Sequence, residues 1–288
     1  MIDYIFVSDY FLEDYVGGAE LTSAALYDYK PSKVFRVRSK DLSRGFVEKH
    51  HKKKFIFGNF FLVPNDLLLF FAKNTINYYI LEYDFKFCKY RSPKKHISFE
   101  EACTCANNQN GKLISLFFKN SSCLFFMSEK QKGVYEEKFK FLKNNEMHTL
   151  SSVFSQETLY YLDATKNNKK NQWAILDSNS WIKNTKDTIK YAQENNLNFK
   201  LLGGLTYKNM LKEISQLKGL IFLPRSSDTC PRIVIEAKLL NCELILNENV
   251  LHKDEKWFCD NNESILNYLK QRPEFFWSKV NSVERYYE

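Results

Sequence analysis

The chain has 288 residues, 44% hydrophobic and 26% charged, which suits one large or two medium domains and excludes wholesale disorder. Nine glycines and six prolines exclude collagen-like and proline-rich linker proteins. The net charge is +8, but only 8 of the 42 basic residues are Arg and most are scattered, so nucleic acid or an anionic membrane surface is an open partner rather than the leading one.

In chain order, the apolar pattern alternates short runs with amphipathic stretches. Ile2–Val7, Val34–Val37, Phe55–Phe57, Tyr78–Leu81, Cys123–Met127 and His148–Ser151 predict strands. Ala19–Tyr27, Asp66–Lys73, Lys112–Phe118 and Lys130–Leu142 predict helices between them. A polar segment, Lys166–Asn171, interrupts the pattern. The alternation restarts with strands Trp173–Leu176, Phe199–Leu202, Leu220–Leu223 and Glu243–Leu246, and helices Lys186–Glu194, Tyr207–Leu217 and Ile233–Leu240. The tail, Asn262–Tyr287, is helical in pattern and aromatic, with Phe275, Phe276, Trp277, Tyr286 and Tyr287, and needs an apolar surface to dock on.

Serial β-α units imply parallel sheets covered by helices. The expected architecture is α/β with two Rossmann-like domains facing a central cleft: 1–165, a linker at 166–171, 172–272, and a C-terminal helix at 273–288 packing back on the first domain. No apolar run reaches membrane-spanning length, because Pro64-Asn65-Asp66 interrupts the richest stretch, Phe55 to Ala72. The opening residues lack the pattern of a secretory signal, so the expected location is the cytoplasm, with peripheral membrane association left open.

Seven cysteines without an export signal argue against disulfides. Cys88, His96, Cys103 and Cys105 place four potential zinc ligands within eighteen residues. Two cysteines separated by one residue make a strained chelate pair, however, so the expectation is reduced thiols, with this cluster a weak zinc candidate. His252 is more simply structural than ligand-binding.

Two constellations carry chemistry. Val16-Gly17-Gly18-Ala19-Glu20 comes after the first strand, where paired glycines permit close backbone approach and the next helix presents N–H groups. It lacks the third glycine of a dinucleotide fingerprint, which disfavours NAD. The second runs from Leu223 to Lys238 and includes Arg225, Asp228, Thr229, Cys230, Arg232 and Glu236. A loop carboxylate, Asp228, precedes by eight residues a second one, Glu236, on an otherwise apolar helix segment. A carboxylate there must be paired or hydrogen-bonded, and vicinal sugar hydroxyls satisfy that need.

Asp228-x7-Glu236 resembles the Glu-x7-Glu motif of retaining glycosyltransferases with the GT-B fold, family four type. Gly17-Gly18-Ala19-Glu20 is similar to that group's N-terminal glycine loop. Ser121–Ser128, Ser180-Trp-Ile-Lys183-Asn and Asn247–Val250 resemble its further segments, in the right order over most of the chain.

The resemblance implies a hexosyltransferase that moves a sugar from a UDP- or GDP-sugar to a glycan, lipid-linked or small-molecule hydroxyl acceptor, without a bound metal. Glu236 would bind the donor ribose, and Asp228 the transferred sugar. The backbone at Thr229 and Cys230 would lie beside sugar and phosphate, and Lys183 would offset charge on the leaving diphosphate. Gly17 and Gly18 would close over phosphate or border the acceptor, and Asp84 would orient the acceptor.

Departures are Asp228 in place of Glu, Cys230-Pro231 in place of a glycine, and no arginine just before Lys183, for which Arg225 or Arg232 is the expected substitute. The alternatives are transfer to a nucleic-acid base, and a non-catalytic nucleotide- or nucleic-acid-binding module.

Overall fold

A computed structural model describes residues 3–30, 33–165 and 168–282. Ile2, Lys166, Tyr286 and Tyr287 lie outside the described residues. The chain forms two compact units, Met1–Val153 with Gln271–Glu288, and Phe154–Lys270.

In the first unit, β1 (Tyr4–Ser8), β2 (Val34–Arg38), β3 (Lys54–Phe57), β4 (Tyr78–Glu82), β5 (Cys123–Phe126) and β6 (Met147–Thr149) form one parallel sheet, ordered β2-β1-β3-β4-β5-β6. Strands β1, β4 and β5 are buried at every position, as expected of interior strands covered on both faces. One side is filled with rings: Phe57, Phe71, Tyr78 and Phe117 pack mostly edge to face, with Tyr78 stacked on Phe117 at 4.7 Å. Helix starts obey local capping: Ser92, Asn108 and Ser128 each accept a backbone N–H three residues on, from Lys95, Gly111 and Gln131.

In the second unit, β7 (Lys170–Leu176), β8 (Phe199–Leu202), β9 (Leu217–Phe222) and β10 (Glu243–Leu246) form a parallel sheet ordered β10-β9-β7-β8. Trp173, Ile175, Ala192 and Ile221 make a core cluster, joined by Ile189, Leu197 and Ile245.

All ten expected strands are present, within a few residues. β7 begins at Lys170, inside the segment expected to be a linker. The helix Gln156–Ala164, which the apolar pattern does not announce, packs on the helices Arg232–Leu239 and Asn262–Lys270, which places it in the second unit. The tail forms two helices, Asn262–Lys270 and Arg272–Ser282. Pro273 disfavours helical backbone before it and suits the first turn of the second helix.

The last helix belongs to the first unit, as expected. Trp277 is buried there against Tyr4 and Phe276, and its indole Nε1–H donates to Leu26 O at 3.0 Å.

Candidate functional site

In a parallel α/β sheet, ligands bind beyond the carboxyl ends of the strands where the strand order reverses. In the second unit that point lies between β7 and β9, because the chain steps to β8 on one side and to β9 and β10 on the other.

The loops leaving β7, β9 and β10 are stitched together there. Asn184 takes the left-handed conformation at φ 57°, which Asn tolerates, and its Nδ2 donates to Leu223 O at 2.9 Å. The Arg225 N–H donates to Ile182 O at 3.0 Å. The Asp228 N–H donates to Asn249 O at 2.8 Å, and its carbonyl accepts the Leu251 N–H at 3.1 Å. On this frame Lys183 Nζ donates to Asp228 Oδ2 at 2.7 Å, with the ammonium 5.1 Å from the Phe222 ring. Both side chains remain partly exposed, at 32% and 15%. The ammonium has three donors and Asp228 takes one, leaving capacity for an anionic ligand.

Glu236 is buried on the helix Arg232–Leu239. The Tyr207 hydroxyl donates to its Oε1 at 2.7 Å, and Arg232 Nε is 3.5 Å from the same oxygen. Burial pushes the Glu236 carboxyl up from its ordinary range, while Arg232 and the Tyr207 hydrogen bond pull it back. The Arg232 guanidinium also lies 3.8 Å from the Phe154 ring centroid. Arg232 is thus committed to Glu236 instead of supplying the missing arginine beside Lys183. Arg225 is committed elsewhere too: its guanidinium bonds Asn184 Oδ1 at 2.6 Å and Asp187 Oδ2 at 2.8 Å. Thr229 and Cys230 are buried in the turn before Pro231, which caps the Glu236 helix.

His252, just beyond the same loop, is fully buried, stacked on Trp257 and edge-on to Phe258. Neither ring nitrogen has a hydrogen-bond partner among the described residues. Burial pushes its pKa down to about 3, so the folded chain keeps it neutral while the unfolded chain protonates it near 6.5. Its neutral state therefore supports folding fully above pH 6.5, and that support is lost as pH falls towards 3. His252→Phe keeps the ring stack and removes the titration. Between pH 7 and pH 5 the variant should gain on the wild type by on the order of 2 kcal/mol in urea unfolding, and a gap that stays constant would refute this assignment.

In the first unit the reversal lies between β1 and β3, and a cavity of about 810 Å³ opens there. Its lining includes Asp9, Gly17, Gly18, Glu20, Asn59 and Arg91. A Cβ at Gly17 would come within 2.5 Å of Glu20 Oε2 and 2.6 Å of the Tyr15 ring, so both side chains would have to move to admit one. Glu20 itself is buried in the first turn of the helix Gly18–Tyr27, where its carboxylate answers the N-terminal dipole and opposes a phosphate.

Arg91, at φ 55°, donates to Asn59 Oδ1 at 2.8 Å and pairs with Asp84. Burial raises the Asp84 carboxyl, but Lys86 and Arg91 outweigh it and hold the carboxyl below its ordinary range. Asp84 does not line the cavity; it holds the arginine that does.

Sequence reasoning missed Asp9, Asn59 and Tyr207. Asp9 and Asn59 stand immediately beyond β1 and just after β3, and polar residues directly beyond buried strands are a readable signal. Asp9 accepts the Phe61 and Leu62 N–H groups at 2.9 and 3.0 Å, which shapes the β3 loop. Tyr207 opens a helix far from the motif and carries no local mark.

The fold class these units define is that of GT-B glycosyltransferases. The chain is similar to solved Anabaena HepE in complex with UDP and glucose, with TM-score 0.56 and 10% identity over 97% of this chain and 92% of that one. It is also similar to trehalose-6-phosphate synthase from E. coli bound with UDP-2-fluoro glucose, with TM-score 0.58 and 9% identity over 97% and 99% of the two chains. At such identity the likeness shows the fold alone. No family model matches the sequence, and no curated protein matches it. No helix among the described residues is long and apolar enough to cross a membrane.

Proposed function

We propose that this chain is a retaining, metal-independent glycosyltransferase of the family four type, moving a hexose from a UDP- or GDP-sugar to a hydroxyl acceptor. The observation that carries the reading is the Lys183–Asp228 pair at the point of strand reversal in the second unit, where three loops fix both residues. The likeness in fold to HepE and trehalose-6-phosphate synthase, solved with UDP and UDP-2-fluoro glucose, supports the same reading and makes UDP the first nucleotide to try.

In this reading the second unit holds the donor. Cleaving the sugar–phosphate bond builds negative charge on the diphosphate, and a preorganised ammonium at Lys183 stabilises it. Asp228 aims that ammonium and accepts hydroxyls of the transferred sugar. Glu236 takes the ribose by exchanging the Tyr207 hydroxyl for a ribose hydroxyl. The cavity of the first unit, with carboxylates at Asp9 and Glu20 facing Arg91, takes the acceptor.

Thermal unfolding in millimolar UDP, GDP and their sugars tests this. A nucleotide at a hundredfold its dissociation constant should stabilise the wild type by about 2.7 kcal/mol, a rise of a few degrees in the midpoint. Lys183→Met should lose most of that rise without losing its fold, since Lys183 is partly exposed. No rise with any nucleotide from folded wild type would overturn the donor site.

A further inference from the structure

We infer that Cys88, His96, Cys103 and Cys105 form a structural zinc site that clamps the excursion between β4 and the helix Gln109–Lys119. Their ligand atoms lie within 4.8 Å of one another although they come from a loop, a helix, a second loop and a 3-10 turn. A tetrahedral zinc with Zn–S near 2.3 Å and Zn–N near 2.0 Å sets its ligand atoms roughly 3.5 to 3.8 Å apart. Cys88 Sγ and Cys103 Sγ are 3.7 Å apart, Cys88 Sγ and His96 Nδ1 3.6 Å, and Cys105 Sγ and His96 Nδ1 3.3 Å. The sulfurs are too far apart for a disulfide, whose bond is about 2.05 Å.

The surroundings match a metal-bound imidazole. His96 turns Nδ1 to the sulfurs while Nε2 lies 2.8 Å from Glu100 Oε2, which fixes the tautomer that leaves Nδ1 free to ligate. Lys89 and the Tyr90 hydroxyl hold Glu100 from the other side, and the Lys89 N–H points at Cys105 Sγ at 3.5 Å. Three thiolates and an imidazole select zinc among the common divalent ions. Cys88, His96 and Cys105 are buried, and Cys103 is half-buried.

The excursion needs such a clamp. It contains no strand, one 3-10 turn at Cys105–Asn107 and the helix Pro93–Phe99, whose apolar Ile97 and Phe99 are 54% and 58% exposed and whose buried residue is His96. A segment without an apolar core of its own is what a structural zinc stabilises. Cys88 also accepts the Arg91 N–H on its carbonyl at 2.7 Å, so the clamp fixes the arginine that lines the first unit's cavity. The site is separate from the chemistry proposed for the second unit and stands or falls apart from it.

Metal analysis of the full chain, purified from zinc-supplemented medium and gel-filtered, should find about one zinc per chain. Exchange into cobalt should give thiolate-to-cobalt charge-transfer bands with the intense visible absorption of a tetrahedral site. Cys103→Ser and His96→Gln should each cut bound zinc several-fold, while Cys259→Ser, altering the exposed cysteine, should leave it unchanged. If those variants fail to fold, the wild-type cobalt spectrum decides. Folded wild type without zinc and without cobalt bands, a Cys88–Cys103 disulfide by mass spectrometry, or zinc retained in both ligand variants would each overturn the site.

Discussion

Replacing Trp277 with Ala should lower the unfolding free energy by about 3–5 kcal/mol, the cost of emptying a buried indole-sized space. Trp277 is 1% exposed, packs at 4.6 Å on Tyr4 and 5.1 Å on Phe276, and its Nε1–H is the partner of the Leu26 carbonyl. The substitution removes the ring contacts and the hydrogen bond together. Urea unfolding of wild type, Trp277→Ala and Trp277→Phe separates these parts, with Phe expected to recover more than half of the loss. A loss below about 1 kcal/mol for Ala would mean that the last helix does not contribute to the first unit's core.

Lys86→Met should cost a similar amount, about 3–5 kcal/mol, because it strands a buried carboxylate. Lys86 and Glu82 side chains are 2% and 0% exposed, with Nζ 3.2 Å from Oε2. Burial pushes the Glu82 carboxyl up to about 7 even with Lys86 beside it. Without the lysine it must take a proton or remain as an unpaired buried charge. Glu82→Gln in the Lys86→Met background should restore most of the stability, since the amide oxygen still accepts the backbone N–H of position 86 that Glu82 takes at 3.1 Å. An additive double variant would show that the two groups do not act as a pair.

The strands were legible because parallel sheets bury whole runs such as Tyr4–Ser8 and Tyr78–Glu82, which survive as unbroken apolar segments in the sequence. The helix Gln156–Ala164 was not, because it buries only Leu159 and Leu162, too few to show a period. Pro93–Phe99 was missed although Ser92-Pro93 is a readable start, since its seven residues carry no apolar stripe. Asp228 and Glu236 could be singled out by spacing, but the contact of Lys183 with Asp228 depends on the order of β7 and β9 in the sheet. The occupation of Glu236 by Tyr207 had no local signal, whereas Arg232 stands four residues before Glu236 on the same helix, a spacing that brings the two side chains together. In the cysteine–histidine cluster, spacing did not announce the juxtaposition: Cys103-x-Cys105 looks strained as a chelate on paper, yet the ligand atoms of Cys88, His96, Cys103 and Cys105 lie within 4.8 Å of one another.

The first unit is interrupted in the chain, with 154–270 lying between its sheet and its closing helix. This connectivity orders events on the ribosome. All six strands of that sheet emerge early, but the surface over Tyr4 and Leu26 stays open until Trp277 has been made. The second unit, continuous in sequence, can complete itself in the interval. Of the two units, the one begun first is therefore the one finished second, and its nascent sheet must wait with apolar surface uncovered while a whole neighbouring unit is made.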